Sequence, residues 1–335
     1  MREINPTEPH TDIPTGLTEN VRQLVRSSWA PGTLLQHRAQ FKIFAAWCES
    51  HGCLAVPAST RTVERFLSDM ADRYRFSSLM NLKKTIAFAH RAAGEPFDAR
   101  AFHVVLGGIR RTHGAACRQV APITVGELRT IIMALPNTAT GARDRAVLTL
   151  GFAGALRNSE LIGLDIGVPR PQSRGFVAID TEGARITLLR SKTDQKGKAI
   201  CKLIPRGGDP CPVAALEHWL AMGNITSGPI FRPVFKGGAH RRRRMNNYGV
   251  TIIVKKAVFT SARQAGMSEA HARARANQVA SHSLRAGFVT SAVLANVPSE
   301  DIAQHVGWAN TQMVFYYMRN VDPMENNPAR LVLHS

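Results

Sequence analysis

The sequence predicts a mainly α-helical protein with a small antiparallel β-sheet, divided into two domains. Three observations carry this. The chain has 335 residues, more than most single domains hold. Apolar residues recur at helical spacing through both ends of the chain. Two short runs of β-forming residues stand near its middle, separated by a turn.

Residues 1–20 hold Pro, Thr, Glu and Asp without periodicity and are expected to be a flexible lead-in. "TLLQHRAQFKIFAAWCES" opens at Thr33 as a candidate N-cap and sets Leu34, His37, Phe41, Phe44 and Cys48 on one helix face. "STRTVERFLSDMADRY" and "SSLMNLKKTIAFAHRAAG" repeat the pattern, the second with a Ser cap and Gly94 as its stop. Residues 21–110 therefore read as a helical N-terminal domain. From Gly107 to Pro122 the chain carries Gly and basic residues without apolar period, which sets the boundary there. The linker is placed at 111–122 and the second domain at 123–335.

The second domain begins with a capping box from Thr124 to Glu127. "GFVAID" and "ARITLLR", joined by "TEG", read as a hairpin, and "KAICKLIP" offers a third strand. "CPVAALEHW" reads as a loop entering a helix, and helical periodicity returns after about Asn246.

Charge narrows the function. The formal net charge is +19, with 15 Lys+Arg against 6 Asp+Glu in residues 21–120 and 27 against 14 in residues 121–335. Both domains are cationic, which suits a polyanion touched by both, and nucleic acid is the leading partner. A membrane partner is not expected. The longest uncharged apolar run, "AVLTLGFAGAL", is far shorter than a bilayer span, and no basic amphipathic helix or lipidation motif is present. The polar, acidic start "MREINPTEPHTDIPTG" does not read as a signal peptide. Five scattered cysteines without a CxxC pair fit reduced thiols in a cytoplasm better than a disulfide framework or a zinc site.

Several residues stand out as carriers of chemistry. In "SHSLRAGFVTSAVLANV", His282 and Arg285 are three apart and share a helix face. "PSEDIAQHVGW" reads as a helix capped by Ser299, closed at Gly307 and followed by Trp308. "ANTQMVFYYMRN" then forms another helix, capped by Asn310, with Met313 and Tyr317 on one face and Tyr316 about 100° away. Upstream, Arg157 follows an apolar stretch with Glu160 three residues on. Lys192 lies just past the second β-run.

The order of Arg157, Lys192, His282-x-x-Arg285, Trp308 and a tyrosine nine residues beyond it resembles the tyrosine recombinases, or phage integrase family. The likeness extends over about residues 25–333. Most of the family has a histidine where this chain has Trp308, and Cre-like members have tryptophan; "VGWANTQMVFYYMRNVD", "FAAWC" and "AHRAAG" are also similar to Cre-like segments.

The resemblance implies a two-domain C-shaped clamp on double-stranded DNA, with a helical core-binding domain and an α+β catalytic domain. It implies strand exchange through a 3′-phosphotyrosine on Tyr317, without metal, ATP or other cofactor. Arg157 and Arg285 would clamp the phosphate, a task suited to guanidinium groups that stay charged and donate in pairs. His282 would assist the tyrosine's proton and Lys192 would protonate the departing 5′-oxygen. Trp308, whose indole only donates, would contact the phosphate, and Glu160 would orient its neighbours. Gln36, Arg38, Ser77, Ser78, Asn81 and Lys84 would face DNA, with Arg241 and Arg243 of "HRRRRMNN" on phosphate. The target would be an inverted repeat, and a C-terminal segment around Leu331, Val332 and Leu333 would dock on a neighbouring protomer to build a homotetramer on two sites. An integrase or Xer-like resolvase needing accessory factors, a silent DNA-binding protein and a type IB topoisomerase are the competing readings.

Overall fold

The computed structural model describes residues 31–114, 119–168, 170, 173–189, 199–235 and 237–318. The lead-in at 1–20, Lys192 and the C-terminal docking segment lie outside the described residues. Contacts divide the chain into two compact units between Gln119 and Val120.

The first unit is helical: α1 (Pro31–Ser50), α2 (Thr60–Asp69), α3 (Phe76–Ala92) and α4 (His103–His113). Thr33 lies inside α1 rather than capping it. Ser59 caps α2, its side chain accepting from Thr62 N at 3.1 Å. Arg75, not a serine, stands at the N-cap of α3, while Gly94 ends that helix at φ +73°. The stretch from Gly107, expected as linker, is helical as far as His113. Only Leu106 and Ile109 of α4 are buried, too few to produce a visible apolar period.

The core of this unit is aromatic. Phe44 and Trp47 of α1 meet Phe66 of α2 edge to face, at ring separations of 4.9 and 5.4 Å. Leu79, Leu82 and Ile86 pack from α3. The opposite face of α3 presents Ser77 and Lys84 to solvent, with Ser78 and Asn81 half-buried; Gln36 and Arg38 of α1 are also exposed.

The second unit contains α5 (Val125–Met133), α6 (Ala139–Ala153), a single turn α7 (Asn158–Leu161), α8 (Pro212–Met222), α9 (Gly249–Gln264), α10 (Glu269–Gln278), α11 (His282–Leu294), α12 (Ser299–Val306) and α13 (Gln312–Met318). Its strands among the described residues are β1 (Leu164–Ile166), β2 (Gly175–Ile179), β3 (Gly183–Leu188), β4 (Ile200–Pro205) and β5 (Gly228–Pro229), in spatial order β4-β3-β2-β1-β5. The expected hairpin is β2–β3, turned by Asp180, whose side chain accepts from Glu182 N and Gly183 N. The sheet is mixed rather than purely antiparallel, because β1 pairs parallel with β2. β1 and β5, three and two residues long, carry no alternation for the sequence to show.

Helix α6 is buried along most of its length, and its Val147, Leu148 and Leu150 are wholly enclosed. A helix apolar on all sides must sit in a core. Around it pack Trp219 of α8, Val254 and Val258 of α9 and Leu284 of α11. Thr124 caps α5, accepting from Glu127 N, but the return arm of the capping box is absent: the Glu127 carboxylate pairs with Arg275 at 2.7 Å.

Gly287 lets α11 approach the chain entering α5, where Ile123 N donates to Ser283 O at 3.1 Å. A Cβ at position 287 would fall 1.7 Å from Ile123 O, a backbone atom that cannot yield like a side chain. Gly287→Ala is therefore expected to cost about 3 kcal/mol and to lower the thermal midpoint by about 6–12 °C, measured by calorimetry.

Candidate active site

The site is built where the end of α6 meets α11, α12 and α13. After α6 the chain turns through Gly154 and Ala155, the latter at φ +44°, before Arg157 opens α7. Glu160, 2% exposed, holds Arg157 twice: its carboxylate accepts from Arg157 N at 2.8 Å and from Nη1 at 2.7 Å. Arg157 and Glu160, three residues apart, thus form a partly buried clamp that fixes the arginine from both ends.

The turn itself offers three successive carbonyls to donors from three different elements. Ala153 O accepts from His305 Nε2 at 2.7 Å, Gly154 O from Lys202 Nζ at 3.0 Å, and Ala155 O from Arg285 Nη1 at 2.7 Å. Arg285 is 1% exposed, and its Nη2 has no hydrogen-bond partner among the described residues. Burial first, then repulsion from Arg157, draws the Arg285 pKa down to about 10, so it stays charged near neutrality.

On the other side, Ala155, Val289, Val293, Ile302, Val306 and Val314 enclose Tyr317 in a hydrophobic cluster. The buried face of α13 is Val314 and Tyr317; Met313, expected to share that face, is exposed with Phe315. Ser299 follows the N-cap Pro298 of α12, whereas Gly307 closes that helix at φ +81° as expected. The chain reverses there and carries Trp308 onto Tyr317, rings stacked at 5.6 Å and 18°. Arg285 lies 5.3 Å from the Trp308 ring centroid. Tyr316 meets Tyr317 edge to face at 5.7 Å.

His282 Nε2 and the Tyr317 hydroxyl are 2.7 Å apart. Loss of hydration, then the Arg285 and Arg157 cations, hold the His282 pKa below its ordinary value, although the residue as a whole is exposed. A neutral imidazole can accept from the phenol in the tautomer whose Nε2 carries no proton. Burial raises the Tyr317 pKa against the pull of Arg285, so the phenol keeps its proton until a base removes it.

The structure thus brings together Arg157, Glu160, His282, Arg285, Trp308 and Tyr317. Two ionisable groups that the sequence reading passed over join them, His305 and Lys202. Burial first, then Arg285, lowers the Lys202 pKa to about 7, with Glu160 opposing and Arg157 adding to the shift. Elsewhere, Arg241 and Arg243 are exposed, Arg241 resting on the Phe235 ring at 4.8 Å. Arg244, of the same basic run, turns inward to Ile162 O and to the Asp165 carboxylate. Among the described residues no cluster of three or more His, Cys, Asp or Glu could hold a metal ion, and no helix is long and apolar enough to cross a membrane.

The model of the phage integrase family matches residues 122–323, which span the whole of this site. The chain belongs to the phage integrase family. Its enzyme class is that of the site-specific tyrosine recombinases. An integrase/recombinase xerD homolog from Selenomonas ruminantium is 29% identical over 319 residues, covering 93% of this chain and 88% of that protein. Among solved structures, the Tn1549 transposon integrase in complex with transposon right end DNA aligns at a TM-score of 0.59 and 12% identity, over 94% of this chain and 98% of that one. A lambda integrase dimer bound to a COC′ core site aligns at 0.53 and 14%, over 89% and 75%. At these identities the structural matches establish the shared fold.

Proposed function

We propose that this phage integrase family member is a site-specific DNA recombinase of the Cre type, exchanging strands through a 3′-phosphotyrosine at Tyr317 and a Holliday junction. The observation that carries the reading is the 2.7 Å contact between His282 Nε2 and the Tyr317 hydroxyl, set beside the buried guanidinium of Arg285. A phosphodiester is already anionic and gains charge as a nucleophile approaches, so the clamp must be cationic. Arg157 and Arg285 donate to the non-bridging oxygens, and the unpaired Arg285 Nη2 gains an acceptor in doing so. His282 accepts the phenol proton as the Tyr317 oxygen bonds to phosphorus, and the bond to the 5′-oxygen breaks. Lys192 returns a proton to that oxygen. The linkage to tyrosine conserves the phosphodiester, so rejoining by the incoming 5′-hydroxyl needs no ATP.

The partner is double-stranded DNA carrying an inverted repeat, with Ser77, Ser78, Asn81 and Lys84 toward the major groove, Gln36 and Arg38 near the DNA, and Arg241 and Arg243 on phosphate. Two sites are brought together in a homotetramer. The Cre-type reading rests on Trp308 and the residues around Tyr317; the xerD homolog favours a second reading, a Xer-like resolvase or integrase that needs accessory proteins.

The test uses a nicked duplex with an inverted repeat taken from DNA beside the encoding gene. A covalent complex that survives detergent, formed on that duplex and not on random DNA, supports recombination. Relaxation of plasmids without site preference would instead mark a topoisomerase. Joining of two sites by the purified protein alone separates the Cre-type reading from the accessory-dependent one.

Cleavage should also depend on pH in a defined direction. Once protonated, His282 no longer accepts from Tyr317, and its pKa is lowered, so the acid limb of the cleavage rate lies below the ordinary histidine value of about 6.5. Single-turnover rates at subsaturating DNA, which report the DNA-free protein, check this between about pH 5 and 9. An acid limb above that value contradicts the assignment of His282 as base.

A further inference from the structure

Strand β4 inverts the polarity of a half-buried strand. Lys202 and Ile204 face inward at 5% and 2% exposure, while Leu203 between them is 60% exposed. An ammonium taken out of water is costly, and an apolar side chain of similar length would fill the position without that cost. A break in the local pattern of this kind points to function.

The contacts of Lys202 show where that function lies. Its Nζ donates to Gly154 O and to His305 O. The first belongs to the turn whose next carbonyl, Ala155 O, seats Arg285 and which leads directly into Arg157. The second belongs to the last turn of α12, three residues before Trp308. Trp308 in turn stacks on Tyr317 and lies beneath the Arg285 guanidinium. A closed circuit results, running from Gly154 through Lys202 to His305, on to Trp308, back through Arg285 to Ala155. His305 reaches the same turn, but with its ring, through Ala153 O. Lys202 is the side chain that grips the α12 backbone itself.

We infer that Lys202 is a positioning residue for strand cleavage: its ammonium ties the Ala153–Ala155 turn, which seats Arg285, to the end of α12, which sets Trp308 against Tyr317. The inference rests on Tyr317 being the nucleophile. It gives the catalytic domain a second lysine, distinct from Lys192, that touches no reacting atom and acts by holding the cationic half of the site in register with the nucleophilic half. Misplacement of reacting groups by about 1 Å costs on the order of 100-fold in rate.

Lys202→Met keeps the length and burial of the side chain and removes the ammonium. The expected result is an unchanged or raised thermal midpoint, unchanged affinity for a single DNA site, and cleavage slowed about 10- to 100-fold. Ile204→Val, the inward neighbour on β4, is the packing control, with a lowered midpoint and wild-type cleavage. Hydrogen exchange at the Gly307 and Trp308 amides provides a readout independent of activity, and both should exchange faster in Lys202→Met. If the wild type forms no covalent complex, the Tyr317 reading fails and the exchange result alone decides the positioning role. Wild-type cleavage and exchange in Lys202→Met overturn the inference. Should Lys202→Met not fold, Lys202→Gln, which retains two N–H donors on a shorter stem, is read by the same criteria. If neither folds, the ammonium is a requirement of the fold and the inference is overturned.

Discussion

Tyr317→Phe is expected to abolish the detergent-resistant DNA complex and to leave single-site binding and stability close to wild type. The ring of Tyr317 is 6% exposed and belongs to the cluster with Val306 and Val314, and Phe retains that packing and the stack on Trp308. The substitution removes only the hydroxyl. Its partner, His282, is exposed and can bond to water, so the loss to stability is expected to stay within about 1 kcal/mol. Cleavage has no such substitute if, as proposed, the oxygen removed is the atom that bonds to phosphorus. Tyr316→Phe provides the contrast: Tyr316 meets the Tyr317 ring edge to face, and its loss should change the cleavage rate less than about threefold.

Arg285→Gln has the next largest expected effect, and it separates activity from stability. Removing one preorganised donor from a charge-stabilising site slows reaction about 10²- to 10³-fold. Yet the Arg285 guanidinium is 1% exposed, carries an unpaired Nη2 and sits among like charges, so the folded protein bears it at a cost. Gln keeps an amide that can donate to Ala155 O and removes the charge. The thermal midpoint is therefore expected to hold or rise while cleavage collapses, as read from single-turnover rates at saturating DNA and a thermal melt. A large fall in stability together with the rate would indicate that Arg285 serves the fold before the phosphate.

Much of this site was legible because its residues fall on elements with strong local signals. His282 and Arg285 share a face of α11, Gly307 closes α12, and Arg157 pairs with Glu160 at the spacing that one helical turn imposes. What brings these elements together is long-range and left no local trace. Lys202 is the clearest example: "AICKLIP" shows alternation, but nothing in it says that the lysine faces in and Leu203 faces out, since that depends on α6 and α12 supplying carbonyls from distant positions. Helix α4 was hidden by Gly107, Gly108 and its basic last turn, and the parallel β1–β2 pairing by the brevity of β1. On α13, Met313 and Val314 flank each other in sequence. Val314 turned out to be the buried one because the 3.6-residue period from Tyr317 admits either i−3 or i−4.

The arrangement also explains why the site concentrates so much charge in a dry place. Arg285 and Lys202 are held by backbone carbonyls, and Arg157 by the Glu160 carboxylate. In the proposed mechanism this positive field is set in advance, and the scissile phosphate completes it. Loss of hydration, with the field of Arg285 and Arg157 adding to it, holds the His282 pKa below its ordinary value.

The most direct test of the account is the identity of the residue that carries the DNA. The trapped complex can be digested with nuclease and protease, and the peptide bearing the residual 3′-nucleotide sequenced by mass spectrometry. The account predicts a phosphodiester on Tyr317. Modification of Tyr316, of a serine, or of no residue in the presence of strand exchange would contradict it.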